Sequence, residues 1–208
     1  MAVLITIPHG ATPNGDGEHN SDTGALEFLS YLEEALDDID IPFTTLIGKA
    51  NRDILDLNRL RAHSHPWVKE VRQEMLKAEI HIDLHSFPFY EEPTKSSMGY
   101  SLDVWGQFDI VMFNTPEITD QGFLRAVENE LEEMSIRTGE EQGGFENYIS
   151  NMATVLFDLP SLVIEINEAA GQNYPQVASA LAVGILNHLD YLSEPLPLDD
   201  EPLPVEYA

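Results

Sequence analysis

Strand-like and helix-like segments alternate along this chain, and no other feature limits its possible folds as strongly. Val3–Pro8 is a largely β-branched run with the character of a buried strand. It stops at Pro8-His9-Gly10 and enters a polar loop, Ala11–Ser21, rich in Gly, Asn and Pro. Ser21 or Asp22 then reads as a helix N-cap, with Leu26, Phe28, Leu29, Leu32 and Leu36 following at helical spacing. Phe43–Ile47 is a second short strand, and Pro66 suits the first turn of a helix running to about Lys77. Residues Ile80–His85 alternate: His81, Asp83 and His85 point one way, Ile80, Ile82 and Leu84 the other. A loop rich in Pro, Ser and Gly spans Phe87–Gly99. Asp109–Phe113 reads as a strand, Glu117–Ser135 as a helix and Thr138–Gly144 as a polar connection. Thr154–Phe157 and Leu162–Ile166 read as strands, and Tyr174–Leu192 as a closing helix. The expected fold class is α/β: a three-layer sandwich whose mixed, mostly parallel central sheet is flanked by helices.

Length and composition bound the chemistry. The 208 residues suit one domain, expected over residues 1–193, with 43% hydrophobic residues to build a core. Residues 194–208 carry four prolines, five acids and no base, and read as an acidic, solvent-facing tail. Ten Lys and Arg against 37 Asp and Glu give a formal net charge of −27. Such a surface repels phosphate, which argues against nucleic acid and anionic membranes as partners. The longest apolar run, near Ala180–Leu186, falls short of the ~18 residues a bilayer span needs. With no basic leader at the start, a soluble cytoplasmic protein is expected. The chain has no cysteine, so a metal site must be built from His, Asp and Glu.

In a sheet covered on both faces, ligands bind beyond the carboxyl ends of the strands. His9 follows the first strand and His85 ends the third; imidazole is the commonest neutral metal ligand. Glu165 sits inside the apolar run Leu162-Val163-Ile164-Glu165-Ile166. Burying an unpaired carboxylate costs several kcal/mol, so Glu165 needs a partner or a pocket. Asp56-Leu57-Asn58-Arg59 places an Arg beside an Asn, a fork suited to a carboxylate. His63-Ser64-His65 reads as decoration of a helix N-terminus, and His19 and His188 as surface or packing residues. Asp22 has an ordinary role as a helix cap, while either Glu18 or Asp22 would complete a metal site with His9.

Taken in order, Ile7-Pro8-His9-Gly10, Asp56-Leu57-Asn58-Arg59, Ile82-Asp83-Leu84-His85-Ser86 and Val163-Ile164-Glu165-Ile166 resemble the N-formylglutamate amidohydrolase family. That family is similar in turn to zinc carboxypeptidases and aspartoacylases. The resemblance implies a zinc-exopeptidase-like fold and one zinc ion held by His9, Asp22 and His85. Glu18 stands as the fallback for the third ligand, because Thr12 occupies the position where the exopeptidases carry a Glu. Asn58 and Arg59 would hold the free carboxylate of a small substrate, and Glu165 would be the catalytic general base. Arg52, Arg61 or Arg137 would stabilise the oxyanion, and Asp83 would orient a ligand His. The implied activity is hydrolysis of the amide bond of a small N-acyl amino acid. Two further readings stay open: a carboxypeptidase-like metallopeptidase acting on a peptide, and a non-catalytic member that binds a carboxylate or a partner.

Overall fold

The computed structural model describes residues 2–10, 21–88, 95, 99–143 and 147–193. In chain order the elements are β1 (Val3–Ile7), α1 (Thr23–Asp38), β2 (Phe43–Ile47), α2 (Pro66–Met75), β3 (Ile80–Phe87) and α3 (Leu102–Trp105). They continue with β4 (Ile110–Phe113), α4 (Gln121–Glu133), β5 (Thr138–Glu141), α5 (Tyr148–Phe157), β6 (Ser161–Asn167) and α6 (Tyr174–Ser193). Short 3-10 turns cover Leu60–Ala62 and Glu168–Asn173. The six strands form one sheet in the order β2-β1-β3-β6-β4-β5. The first four run parallel; β4 is antiparallel to β6, and β5 is parallel to β4. The expected mixed, mostly parallel sheet flanked by helices is the fold observed.

The two faces of the sheet differ in chemistry because β-strand side chains alternate. Ile5, Ile82 and Ile164 belong to a continuous apolar face packed against α1, α4 and α6. The opposite face carries two separate apolar clusters. Leu4 packs with α2 and α5 in one, and Phe87, Val111, Phe113 and Val163 gather around Trp105 in the other. Between them the same face turns polar, with Thr6, His81, Asp83 and His85 all buried. Parallel sheets covered on both faces are usually apolar throughout, so this band is the anomaly of the fold.

Connectivity places that band at a crevice. The chain leaves β1 through α1 to reach β2 on one side, then returns through α2 to β3 on the other. Because α1 and α2 lie on opposite faces, the sheet opens at the carboxyl ends of β1 and β3, the usual ligand position in open α/β sheets.

Some segments differ from the expectations in type or in bounds. Thr154–Phe157, read as a strand, is the last turn of α5. Its helix buries Ile149, Met152 and Ala153 at i, i+3 and i+4, and leaves Val155 and Leu156 facing solvent. Thr138–Glu141, read as a connection, is the edge strand β5; with one neighbour and a half-exposed sequence it has no apolar alternation to announce it. The helix expected from Glu117 starts at Gln121, where Asp120 Oδ1 accepts the Phe123 backbone N–H at 2.7 Å. Residues 194–208 and Glu18 lie outside the described residues, as does most of Phe87–Gly99. No helix among the described residues is long and apolar enough to cross a membrane.

Candidate metal centre

His9 leaves the end of β1, His85 lies near the end of β3, and Asp22 stands at the N-cap position of α1. Gly48 lets the loops close around His9: its N–H donates to Ile7 O at 2.8 Å, and a Cβ there would lie 2.3 Å from Pro8 O. The three side chains meet at one buried point. Asp22 Oδ2 lies 3.2 Å from His9 Nδ1 and 2.8 Å from His85 Nδ1. One ligand atom from each residue lies within 4.8 Å of the other two.

The far nitrogens are also held. His9 Nε2–H donates to Asp56 Oδ1 at 2.9 Å, and His85 Nε2 lies 3.4 Å from Asp83 Oδ2. An imidazole whose outer N–H is turned to a carboxylate presents its other nitrogen as a fixed ligand atom. Two such imidazoles and one carboxylate fit the N and O donor chemistry of zinc.

Asp22 is available to the histidines because another residue caps its helix. Its carboxylate makes no hydrogen bond to the α1 N-terminus. Instead Glu168 Oε1, from the turn after β6, accepts from Gly24 N at 3.2 Å, Thr23 Oγ1 at 3.2 Å and Ser86 Oγ at 2.8 Å. Gly24 is required for this approach, since a Cβ there would stand 2.6 Å from Glu168 Cγ.

Electrostatics follow from the packing. Burial alone would raise Asp22, but the charges and hydrogen bonds of His9 and His85 hold it well below the ordinary carboxylate range. Asp56 is also low: burial opposes ionisation, and His9, Arg59 and Arg52 outweigh it. Burial presses His85 down, yet Asp83 and Asp22 together lift it well above the usual imidazole value. Glu165 moves the other way. Burial pushes its carboxyl up to about 7; the Asp22 charge adds to this, while His85, Arg52 and His9 pull it down. Glu165 pairs with His85 in the β3–β6 register, on strands ~4.8 Å apart, and its carboxylate makes no hydrogen bond to a described residue.

The remaining candidates separate by position. Asn58, expected at a substrate carboxylate, is completely buried. Its Nδ2 lies 3.1 Å from both Asp83 Oδ2 and His85 Nε2, and its Oδ1 accepts from Ile149 N at 2.9 Å. That environment suits a positioning residue. Arg59 is partly exposed, with Nε 3.6 Å from Asp56 Oδ2 and Nη1 donating to Asn58 O at 2.9 Å. Arg52 reaches the same mouth, 3.8 Å from both Asp22 Oδ1 and Asp56 Oδ2. Arg137 is committed to Asp109, with Nη2 2.6 Å from Oδ1 and Nε 3.1 Å from Oδ2, and Arg61 is exposed on its 3-10 turn. His65 caps α2 by accepting from Trp67 N, and His188 stacks on Phe123 at 5.0 Å, both as expected. The roles of Asp56 toward His9 and of Glu168 toward α1 went unseen in the sequence. Asp56 carried a signal in its motif; Glu168 carried none.

No protein-family model matches the sequence, and no curated protein matches it. Solved structures do resemble it. A gene product of Agrobacterium tumefaciens superposes with a TM-score of 0.65 at 15% identity, over 93% of this chain and 92% of that one. An N-formylglutamate amidohydrolase from Ralstonia eutropha gives 0.56 at 15% identity, over 91% and 94%. A metallo-carboxypeptidase from Burkholderia cenocepacia gives 0.59 at 15% identity, over 92% of this chain; the chain spans 57% of that protein. The likeness is one of fold. It places the chain among α/β structures that include amide- and peptide-bond hydrolases.

Proposed function

We propose that the protein is a zinc-dependent amidohydrolase that cleaves the amide bond of a small N-acyl amino acid resembling N-formylglutamate. The observation that carries this reading is the convergence of His9, Asp22 and His85 at one buried point, with Glu165 on the adjoining strand. The fold likeness to an N-formylglutamate amidohydrolase supports it. His9 Nδ1, His85 Nδ1 and Asp22 Oδ2 would hold the zinc. When bound, zinc supplies a Lewis acid that polarises the amide carbonyl and makes a water acidic enough to ionise near neutral pH.

The chain's own residues supply the rest. Glu165, whose carboxyl burial pushes up, takes the proton of the attacking water on a carboxylate oxygen and passes it to the leaving nitrogen. The carbonyl carbon gains an oxygen and loses its nitrogen, giving a carboxylic acid and a free amino acid. Arg59 and Arg52 at the mouth attract the substrate's free carboxylate, and Arg52 lies nearer Asp22, where an oxyanion would develop. Asp56 and Asp83 orient the two imidazoles, and Asn58 braces Asp83.

The test combines metal content with turnover. One zinc per chain is expected after purification, with formate or acetate released from N-acyl-glutamate. Glu165→Gln is expected to lower turnover by ~10²–10⁴-fold with zinc content unchanged. A metal-free protein with His9 and His85 intact would sink the reading. Release of amino acids from short peptides in place of acyl-glutamate would move it to a carboxypeptidase, and zinc without turnover on either would leave a binding protein.

A further inference from the structure

The polar band continues inward past the metal centre. Thr6, His81, Asp83, Ser150 and Ser161 are all buried, and they connect β1, β3, β6 and α5. Thr6 pairs with Asp83 in the β1–β3 register, and His81 with Ser161 in the β3–β6 register. The contacts are short: Thr6 Oγ1 to Asp83 Oδ1 2.8 Å, His81 Nε2 to Thr6 Oγ1 2.9 Å, His81 Nδ1 to Ser161 Oγ 2.8 Å, and Ser161 Oγ to Ser150 Oγ 2.9 Å.

Hydrogen-bond inventory sets the direction of this chain. An ionised carboxylate only accepts, so the single Thr6 hydroxyl proton goes to Asp83 and Thr6 Oγ1 must accept from His81 Nε2–H. His81 Nδ1 is then bare and accepts from Ser161, which accepts from Ser150. Burial drives His81 to about 4, which keeps the ring neutral as this tautomer requires. Every donor therefore points toward Asp83. Thr6 holds Oδ1, while Asn58 Nδ2 donates to Oδ2 and His85 Nε2 lies 3.4 Å from Oδ2 and 3.1 Å from Asn58 Nδ2.

We propose that Thr6 and His81 are positioning residues for the metal centre, fixing the Asp83 carboxylate so that His85 presents Nδ1 to the ion. The inference rests on the metal-site reading above. It explains why a strand pair in the sheet interior carries a hydroxyl and an imidazole where aliphatic side chains would pack at lower cost. Removing the Thr6 hydroxyl orphans His81 Nε2–H, leaves Asp83 Oδ1 without its Thr6 donor, and frees the carboxylate to turn away from His85.

The experiment compares Thr6→Val, which keeps the shape and loses the hydroxyl, with Thr6→Ser, which keeps the hydroxyl. Zinc affinity is measured by competition with a chelator, and the visible spectrum is recorded after loading Co²⁺. Thr6→Val is expected to lose ~10–100-fold in zinc affinity and to alter the Co²⁺ bands. Thr6→Ser is expected to stay within about twofold of wild type, since it keeps the donor. Should Thr6→Val fail to fold by near-ultraviolet circular dichroism, Ser161→Ala reads the same chain one step further out. Its expected loss is roughly threefold to fivefold. A folded Thr6→Val, or Ser161→Ala in its place, with wild-type affinity and an unchanged Co²⁺ spectrum overturns the inference whatever its melting temperature. So does a Thr6→Ser as weak as Thr6→Val. Wild-type protein that binds no zinc overturns the metal centre and this inference together, whereas zinc-binding wild type beside an unaffected Thr6→Val overturns this inference alone.

Discussion

Glu168→Ala sets two demands on Asp22 against each other. In the native structure Glu168 Oε1 accepts three hydrogen bonds, from Thr23 Oγ1, Gly24 N and Ser86 Oγ. Thr23 is exposed, so water replaces the acceptor for its hydroxyl and that bond counts for little. Losing the cap on Gly24 N costs about 1 kcal/mol. Losing the charge-assisted bond from Ser86, whose distance is 2.8 Å, costs about another 1 kcal/mol or slightly more. The sum, about 2 kcal/mol, lowers the melting temperature of a chain this size by ~4–8 °C. The second effect falls on the proposed metal centre. Asp22 occupies the N-cap position, and an Asp there ordinarily accepts from the second helical N–H, which in α1 belongs to Gly24. With Glu168 gone, that N–H competes with His9 and His85 for the Asp22 carboxylate. A competing rotamer worth about 1 kcal/mol lowers metal affinity by ~5-fold. Thermal melts and zinc competition on wild type, Glu168→Ala and Glu168→Gln check both effects. Gln keeps an Oε1 acceptor and is expected to recover most of each. A Glu168→Ala protein with wild-type melting temperature and wild-type zinc affinity would refute the capping argument.

Two other expectations concern charge. Burial, and then the neighbouring Glu140, raise Glu128 to about 7, against an unfolded value of about 4.3. A raised carboxyl stabilises the fold while it holds its proton, and that contribution is lost as pH rises through about 7. Glu128→Gln should therefore melt above wild type at pH 8, with the gap closing toward pH 5; parallel pH profiles would show that the two glutamates do not interact. The net charge of −27 bears on the proposed activity as well. An acyl-glutamate dianion approaches against that field, so added salt should raise the second-order rate constant. A rate that stays flat or falls with salt points to a neutral or cationic substrate.

The parts of this protein that could be read from sequence are those where one residue type contradicts its neighbours. The alternation in Ile80–His85 and the apolar run around Glu165 announce buried strands, because a strand of period two must sort its side chains by face. The same logic marks His85 and Glu165, since a titratable group in such a run has to meet something. Where a segment is half-exposed the pattern vanishes. The edge strand Thr138–Glu141 buries little, and the β-branched and aliphatic residues of Thr154–Phe157 cover the solvent side of a helix. Asp22 illustrates a different limit. Its sequence context supports a cap and a ligand equally well; Glu168, 146 positions away, takes over the cap and leaves the Asp22 carboxylate to His9 and His85. Asn58 shows the same dependence: next to Arg59 it suggests a fork for a carboxylate, while β3 and α5 close over it and engage its amide with Asp83 and Ile149. A residue's identity limits which bonds it can make, while the partner that claims it is decided by which distant segment the fold brings alongside. The proposed metal ligands are therefore only as well placed as Glu168, Asp56 and Thr6. Those three residues, none of which touches a ligand atom that would face the ion, are where the fold can be loosened without altering the site's composition.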